Sequence, residues 1–348
     1  METKIPDTSS LPEVISYSRL MEFASCRYRW DLKYRRGISR RVTDRAPNLG
    51  SAVHTGMAAA MLGEDYEAKI GEWKKKELED KLLGVDNAEI QTVNDQIAEQ
   101  FDEIEQTAIV IVRRTLQYFN PLKWEVYYYL GEPMVEVNMT CKIKRWHGFQ
   151  GFIDLIAVEK ETGHVWIIDY KVRKSLQPEF DEEVNLQMAA YQYMALKNGI
   201  STVGTITLQI LAKPNSIPKV NKDGSMSRAK IATDWDSYKT ALIENGLDPE
   251  DYEEDMKPKL DTEYIRESRA YRSTLEVKKT WNEVIQAMAL DMSQVKPQHI
   301  YRKLQSFNCK TCWAREFCLE ELRGQDVDHL LENEYQLKGA DNNVSSEK

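Results

Sequence analysis

No stretch of this 348-residue chain is apolar for long enough to span a bilayer, and its first residues lack a secretory-signal pattern. A membrane or exported protein is therefore not expected. Cysteine is scarce and odd in number: Cys26, Cys141, Cys309, Cys312 and Cys318 argue against a disulfide framework. No G-x4-G-K-[ST] loop occurs, so the chain carries no P-loop ATPase of its own. Positive charge is also in deficit. A net charge of −9 argues against a protein that coats nucleic acid without specificity, while leaving room for a local basic groove. One such candidate exists, Lys33, Arg35, Arg36, Arg40, Arg41 and Arg45, with a solvated basic loop as the alternative reading. With 42% hydrophobic and 30% charged residues the composition is that of a soluble globular protein, one large domain with insertions or two small ones, expected in the cytoplasm.

What is present centres on residues 148–173. Gly151-Phe152-Ile153-Asp154-Leu155-Ile156-Ala157-Val158 reads as a buried strand broken by one carboxylate. A turn at Glu161-Thr162-Gly163-His164 leads into Val165-Trp166-Ile167-Ile168, which runs into Asp169-Tyr170-Lys171. Acids on such strands are costly unless paired or holding a cation. Asp154 and Asp169 offer the hard oxygen ligands that Mg2+ or Mn2+ prefers. Lys171, on the same strand face as Asp169, could orient or deprotonate an attacking water and offset charge on a phosphoryl group. A structural ion pair is the plainer reading of the same residues.

Upstream, Ser16-Tyr17-Ser18 starts a helix expected to run to Tyr34 with Cys26 inside it. Pro47 to Gly56 opens a second helix of small residues bearing His54, which alone reads as a packed or surface histidine. Residues 64–120 read as charged helix, with breaks near Gly84 and Asn87. From Trp124 the period shifts to two, giving strands through Val126 and Val135-Glu136-Val137. Glu132 or Glu136 could reach a metal, but each fits a solvent-facing strand position. Cys141 reads as structural. Downstream, Glu179 to Leu196 reads as a helix with Gln187 and Tyr191 on one face, able to position a phosphate or base or merely to form a helix edge. Gly204–Leu211 is a further strand. Residues 213–261 read as a surface insertion, and helical pattern is expected from Glu263 to about Met292.

Cys309, Cys312 and Cys318 stand at C-x2-C-x5-C and need a fourth ligand, which Cys26 supplies if the two ends of the chain meet. Zinc ribbons bring cysteines in two close pairs, whereas one remote and three clustered thiolates suit an iron–sulfur cubane better.

Taken in order, Cys26, GSAVHTG with His54, GFID with Asp154, IIDYK with Asp169 and Lys171, Gln187-x3-Tyr191 and the clustered cysteines resemble the PD-(D/E)xK nuclease superfamily, in its RecB-like iron–sulfur branch. That branch includes the AddB nuclease domain and the CRISPR-associated RecB-like exonucleases. The resemblance implies an α/β fold, a central mixed β-sheet flanked by helices. It implies an N-terminal helical region (14–122), a nuclease core (123–212), the insertion (213–261), and a C-terminal segment of helices and an iron–sulfur staple (262–325). His54, Asp154, Asp169 and the Tyr170 carbonyl would bind Mn2+ or Mg2+, with Lys171 catalytic and Gln187 and Tyr191 at the DNA-facing edge. Cys26, Cys309, Cys312 and Cys318 would hold a [4Fe-4S] cluster. Ile153 replaces the motif's proline, as is common in the branch. The implied activity is a deoxyribonuclease, an exonuclease on single-stranded DNA or ends, in recombination, repair, replication or CRISPR-like processing. It would work in a bacterial or phage-infected cell, with a helicase or a recombination or replication protein as partner. Two other readings stand beside it: a DNA-binding scaffold of nuclease fold with little activity, and a zinc-stabilised structural protein.

Overall fold

Seven strands form the central sheet of the computed structural model: β1 (Val14–Ser16), β2 (Trp124–Val126), β3 (Val135–Ile143), β4 (Trp146–Glu159), β5 (His164–Arg173), β6 (Gly204–Leu211) and β7 (Ile265–Tyr271). The residues described are 14–40, 49–81, 88–120, 122–144, 146–177, 182–212, 216, 218–231, 233–260 and 263–337. The leader, Arg41, Arg45, the opening of the His54 helix at Pro47, the breaks at Gly84 and Asn87, Glu179 and the last residues of the tail lie outside them.

The long strand β4 is the hub. One of its edges takes β2 and β3, both antiparallel; the other takes β5 antiparallel and the short β1 parallel. β6 follows β5 in parallel, and β7 closes that side antiparallel to β6. Two parallel neighbours need a crossover, and α5 (Leu186–Lys197) provides it between β5 and β6. Its first turn is capped by Asn185, whose side chain accepts from the Met188 amide. The helix begins there, after a short turn at Glu182–Val184. Every residue of β6 is buried, as expected of an interior strand covered on both faces.

Each face of the sheet carries its own apolar cluster. One joins Ile15, Phe149, Ile153, Ile167 and Met194 to Trp281 and Ile285 of the C-terminal helical stretch 274–293. The other joins Leu155, Ile168, Ile206 and Leu208 to α2 (Leu49–Met61), α3 (Tyr66–Lys81) and α4 (Ala88–Tyr118), through Val53, Met57, Ile70, Ile111 and Val112. The charged helices thus roof the sheet. None of the described helices is long and apolar enough to cross a membrane.

Ile153 and Leu155 are two apart on one strand, yet they pack in opposite clusters, and so do Val137 and Val135 on the strand beside it. The alternation of both strands therefore reverses at the residues between, Asp154 and Glu136. Glu136 marks the reversal with a left-handed φ of 48°, uncommon outside glycine.

Two expectations need correction. Residues from Ile265 to Tyr271 are an edge strand and not helix; helix resumes at Thr274. The first helix, α1 (Tyr17–Ser25), stops at Cys26, whose extended backbone (φ −159°, ψ 109°) separates it from the next turn. Within the insertion expected at 213–261, Tyr238, Leu242, Tyr252 and Met256 bury one another in a small core.

Gly151 lies under α5, where an added Cβ would stand 2.6 Å from the Tyr191 ring and 2.7 Å from the end of Met194. Gly151→Ala is expected to push α5 outward and destabilise the chain by about 1–3 kcal/mol. Urea unfolding measures it; an unchanged midpoint would show that the contact yields freely.

Candidate active site

Elements of both layers converge on one cleft of about 650 Å3 at the point where the strand alternation reverses. β4 contributes Asp154, β5 contributes Asp169, Tyr170 and Lys171, α2 contributes His54, α5 contributes Gln187 and Tyr191, and β3 contributes Glu136. Flanking register pairs, Val135 with Leu155 and Val137 with Ile153, set Glu136 directly across from Asp154.

Asp169 is 3% exposed and Asp154 7% exposed, so both need partners. Lys171 Nζ stands 2.9 Å from both carboxylate oxygens of Asp169, confirming that the two share a strand face. Asp154 Oδ2 accepts the Tyr170 backbone N–H at 2.7 Å, tying the two hairpin strands together at the site. His54 Nε2 lies 3.1 Å from the Tyr170 carbonyl, which can only accept, so this nitrogen carries a proton. Its Nδ1 faces two carboxylates, Glu136 Oε1 at 3.4 Å and Asp154 Oδ1 at 3.5 Å. Gln187 Nε2 donates to the Tyr191 hydroxyl at 2.9 Å, so the pair forms one polar edge on an otherwise apolar helix.

Burial pushes the Asp169 carboxyl up to about 6; Lys171 opposes the shift and Asp154 adds to it. Lys171 is itself driven down by burial, but Asp169 and Asp154 outweigh that and hold its pKa above the ordinary lysine value. For His54, burial again works against the charged form, yet Asp154 and Glu136 prevail and hold the imidazole well above its usual range. Three carboxylates thus face two basic groups.

Ligand atoms of His54, Glu136 and Asp154 all lie within 4.8 Å of one another. Glu136 Oε1 is buried and accepts no hydrogen bond among the described residues. Carboxylates, a backbone carbonyl and one imidazole are donors that suit Mg2+ or Mn2+, and a buried Glu136 oxygen with only the 3.4 Å approach of His54 Nδ1 beside it is one that a cation would satisfy. The fit is good.

Glu136 is the residue that periodicity misplaces. A regular strand would turn it to solvent, whereas its left-handed backbone sends it to the site. The basic concentration does not form an open groove among its described members. Arg35 pairs with Asp31, Arg36 with Glu321 and Arg40 with Glu334, and Lys33 lies over the Tyr34 ring.

The chain's two ends do meet: Ile38–Arg40 pairs antiparallel with Tyr335–Leu337, and Cys26, Cys309, Cys312 and Cys318 line one cavity of about 260 Å3. Cys141 sits apart in β3, its thiol pushed up to about 12 by burial.

Mn2+ is expected to stabilise the wild-type chain by about 2.7 kcal/mol at a hundredfold excess over Kd, read as a higher melting temperature, and Asp154→Asn to remove most of that gain. An undiminished gain in the variant would place the ion elsewhere.

No curated protein matches the chain. Among solved structures, the crystal structure of SSO0001 is similar at 13% identity over 86% of this chain and 92% of that chain, with a TM-score of 0.28. The sequence model of the PD-(D/E)XK nuclease superfamily matches residues 14–319, which takes in β1, the sheet, the cleft and all of the clustered cysteines. The chain belongs to the PD-(D/E)XK nuclease superfamily.

Proposed function

We propose that the chain is a metal-dependent deoxyribonuclease of the RecB-like branch, an exonuclease on single-stranded DNA or DNA ends that carries a [4Fe-4S] cluster. The observation that carries the reading is the convergence of His54, Glu136, Asp154, Asp169 and Lys171 on one cleft with Gln187 and Tyr191 at its edge. In this reading His54, Asp154, Asp169, the Tyr170 carbonyl and Glu136 hold Mg2+ or Mn2+. When bound, the ion polarises the scissile phosphate and lowers the pKa of its water.

The remaining work falls to the chain. Lys171, 2.9 Å from the Asp169 carboxylate, is placed to orient the attacking water or to donate to a phosphoryl oxygen and offset the charge that builds there. Asp169 fixes the lysine's direction through their 2.9 Å contact. Gln187 and Tyr191, locked to each other, present a hydroxyl and an amide to the strand beside the ion. Exonucleolytic preference, a role in recombination, repair, replication or CRISPR-like processing, and a helicase or recombination partner rest on the family resemblance of the ordered motifs.

The cluster reading is supported by the placement of the thiols: Cys26, Cys309, Cys312 and Cys318 line one cavity, which suits a multi-atom group bound by thiolates.

Anaerobically purified wild-type protein and Lys171→Ala are expected to be equally brown, with only the wild type shortening end-labelled single-stranded DNA in Mn2+. The variant's rate should fall by at least a hundredfold. Two brown, folded and inactive proteins would favour the scaffold reading. Cys309→Ala should lose iron and the visible absorption band; a colourless, zinc-containing wild type would overturn the cluster.

A further inference from the structure

Ser18 and Ser25 are seven residues apart on α1, two helical turns, so they lie on one face about 10 Å from each other. Ser18 lines the metal cleft. Ser25 lines a second hollow of about 370 Å3, whose wall includes Cys26, Cys309 and Cys312. The two depressions thus open along the same side of a single helix.

Their chemistry is opposite. The cleft is rich in carboxylates, whereas the hollow is lined by Arg29, Lys303 and Lys310 with no carboxylate in its lining. Arg29 is engaged by Glu22 at 2.6 Å, but among the described residues neither Lys303 nor Lys310 forms an ion pair. In a chain of net charge −9 such a spot is a local exception. Phe307 stands on its rim with 89% of its surface exposed, so its ring face is open beside these cations. Cations beside an open aromatic face are the elements that hold a single nucleic-acid strand: the cations take phosphates, and the ring takes a base of any identity.

We infer that the hollow is a strand-binding subsite. Single-stranded DNA leaving the cleft follows α1, places a base on Phe307 and lays its phosphates against Lys303 and Lys310. The inference rests on the nuclease reading above and names the path its substrate takes. The site gives affinity without sequence preference and contributes nothing to bond cleavage.

Binding of a fluorescein-labelled dT oligonucleotide to the full-length protein, followed by anisotropy in EDTA, tests the path without requiring cleavage. Phe307→Ala is expected to weaken binding roughly tenfold. Lys303→Ala and Lys310→Ala should each reduce the slope of log K against log salt by about 0.7. In Mn2+ the Phe307 variant should raise KM for single-stranded DNA and leave kcat unchanged, the mark of binding lost equally in ground and transition states. Iron content is measured on the same samples; if Phe307→Ala loses iron, Phe307→Leu, apolar but without a π face, replaces it. Unchanged affinity and salt slope in iron-replete variants would overturn the subsite, leaving the cations to offset thiolate charge or the ring to meet a protein. A wild type that binds no single-stranded DNA would instead overturn the nuclease reading.

Discussion

Two carboxylates set into the apolar interior of a sheet have to be compensated where they stand, and much of this molecule follows from that requirement. Asp169 is buried deeply enough for its carboxyl to be pushed up to about 6, even with Lys171 against it. Asp154 is satisfied by a backbone N–H of the neighbouring strand and faced by an imidazole from a helix on the sheet's other side. Removing one partner would leave an uncompensated buried charge, so the lysine, the histidine and the hairpin register are held together by electrostatics as much as by packing.

The architecture meets this demand by bringing both layers to one point. α2 approaches from the cluster that contains Leu155, and α5 from the cluster that contains Ile153. The small residues of α2 let its neighbouring helices close on it: a Cβ at Gly56 would stand 2.7 Å from Ile70 of α3 and 2.8 Å from Val112 of α4. Reversal of the strand alternation opens the gap between layers into which the carboxylates project.

Much of the site could be read in the chain because its parts are local. Asp169 and Lys171 share a face by strand periodicity, Gln187 and Tyr191 by helix periodicity, and the clustered cysteines by spacing alone. Other parts depend on information that no local pattern holds. Glu136 reaches the cleft through a backbone conformation that periodicity assumes away. Ile265–Tyr271, with Arg266, Glu267, Ser268 and Arg269, has the polarity of an exposed helix; it becomes a strand because Gly204–Leu211 leaves an edge to be paired. The insertion's core joins residues as distant as Met226 and Leu260, too far apart for any window to link.

The left-handed residue at the reversal sets the ease of the strand against the meeting of the carboxylates. A bulky side chain in that conformation costs on the order of 1–3 kcal/mol, and glycine would relieve it. Selection for robustness alone would therefore drift toward glycine at position 136 and close the acid pair across from Asp154. A sequence that keeps glutamate there is holding a less stable strand so that three carboxylates can meet.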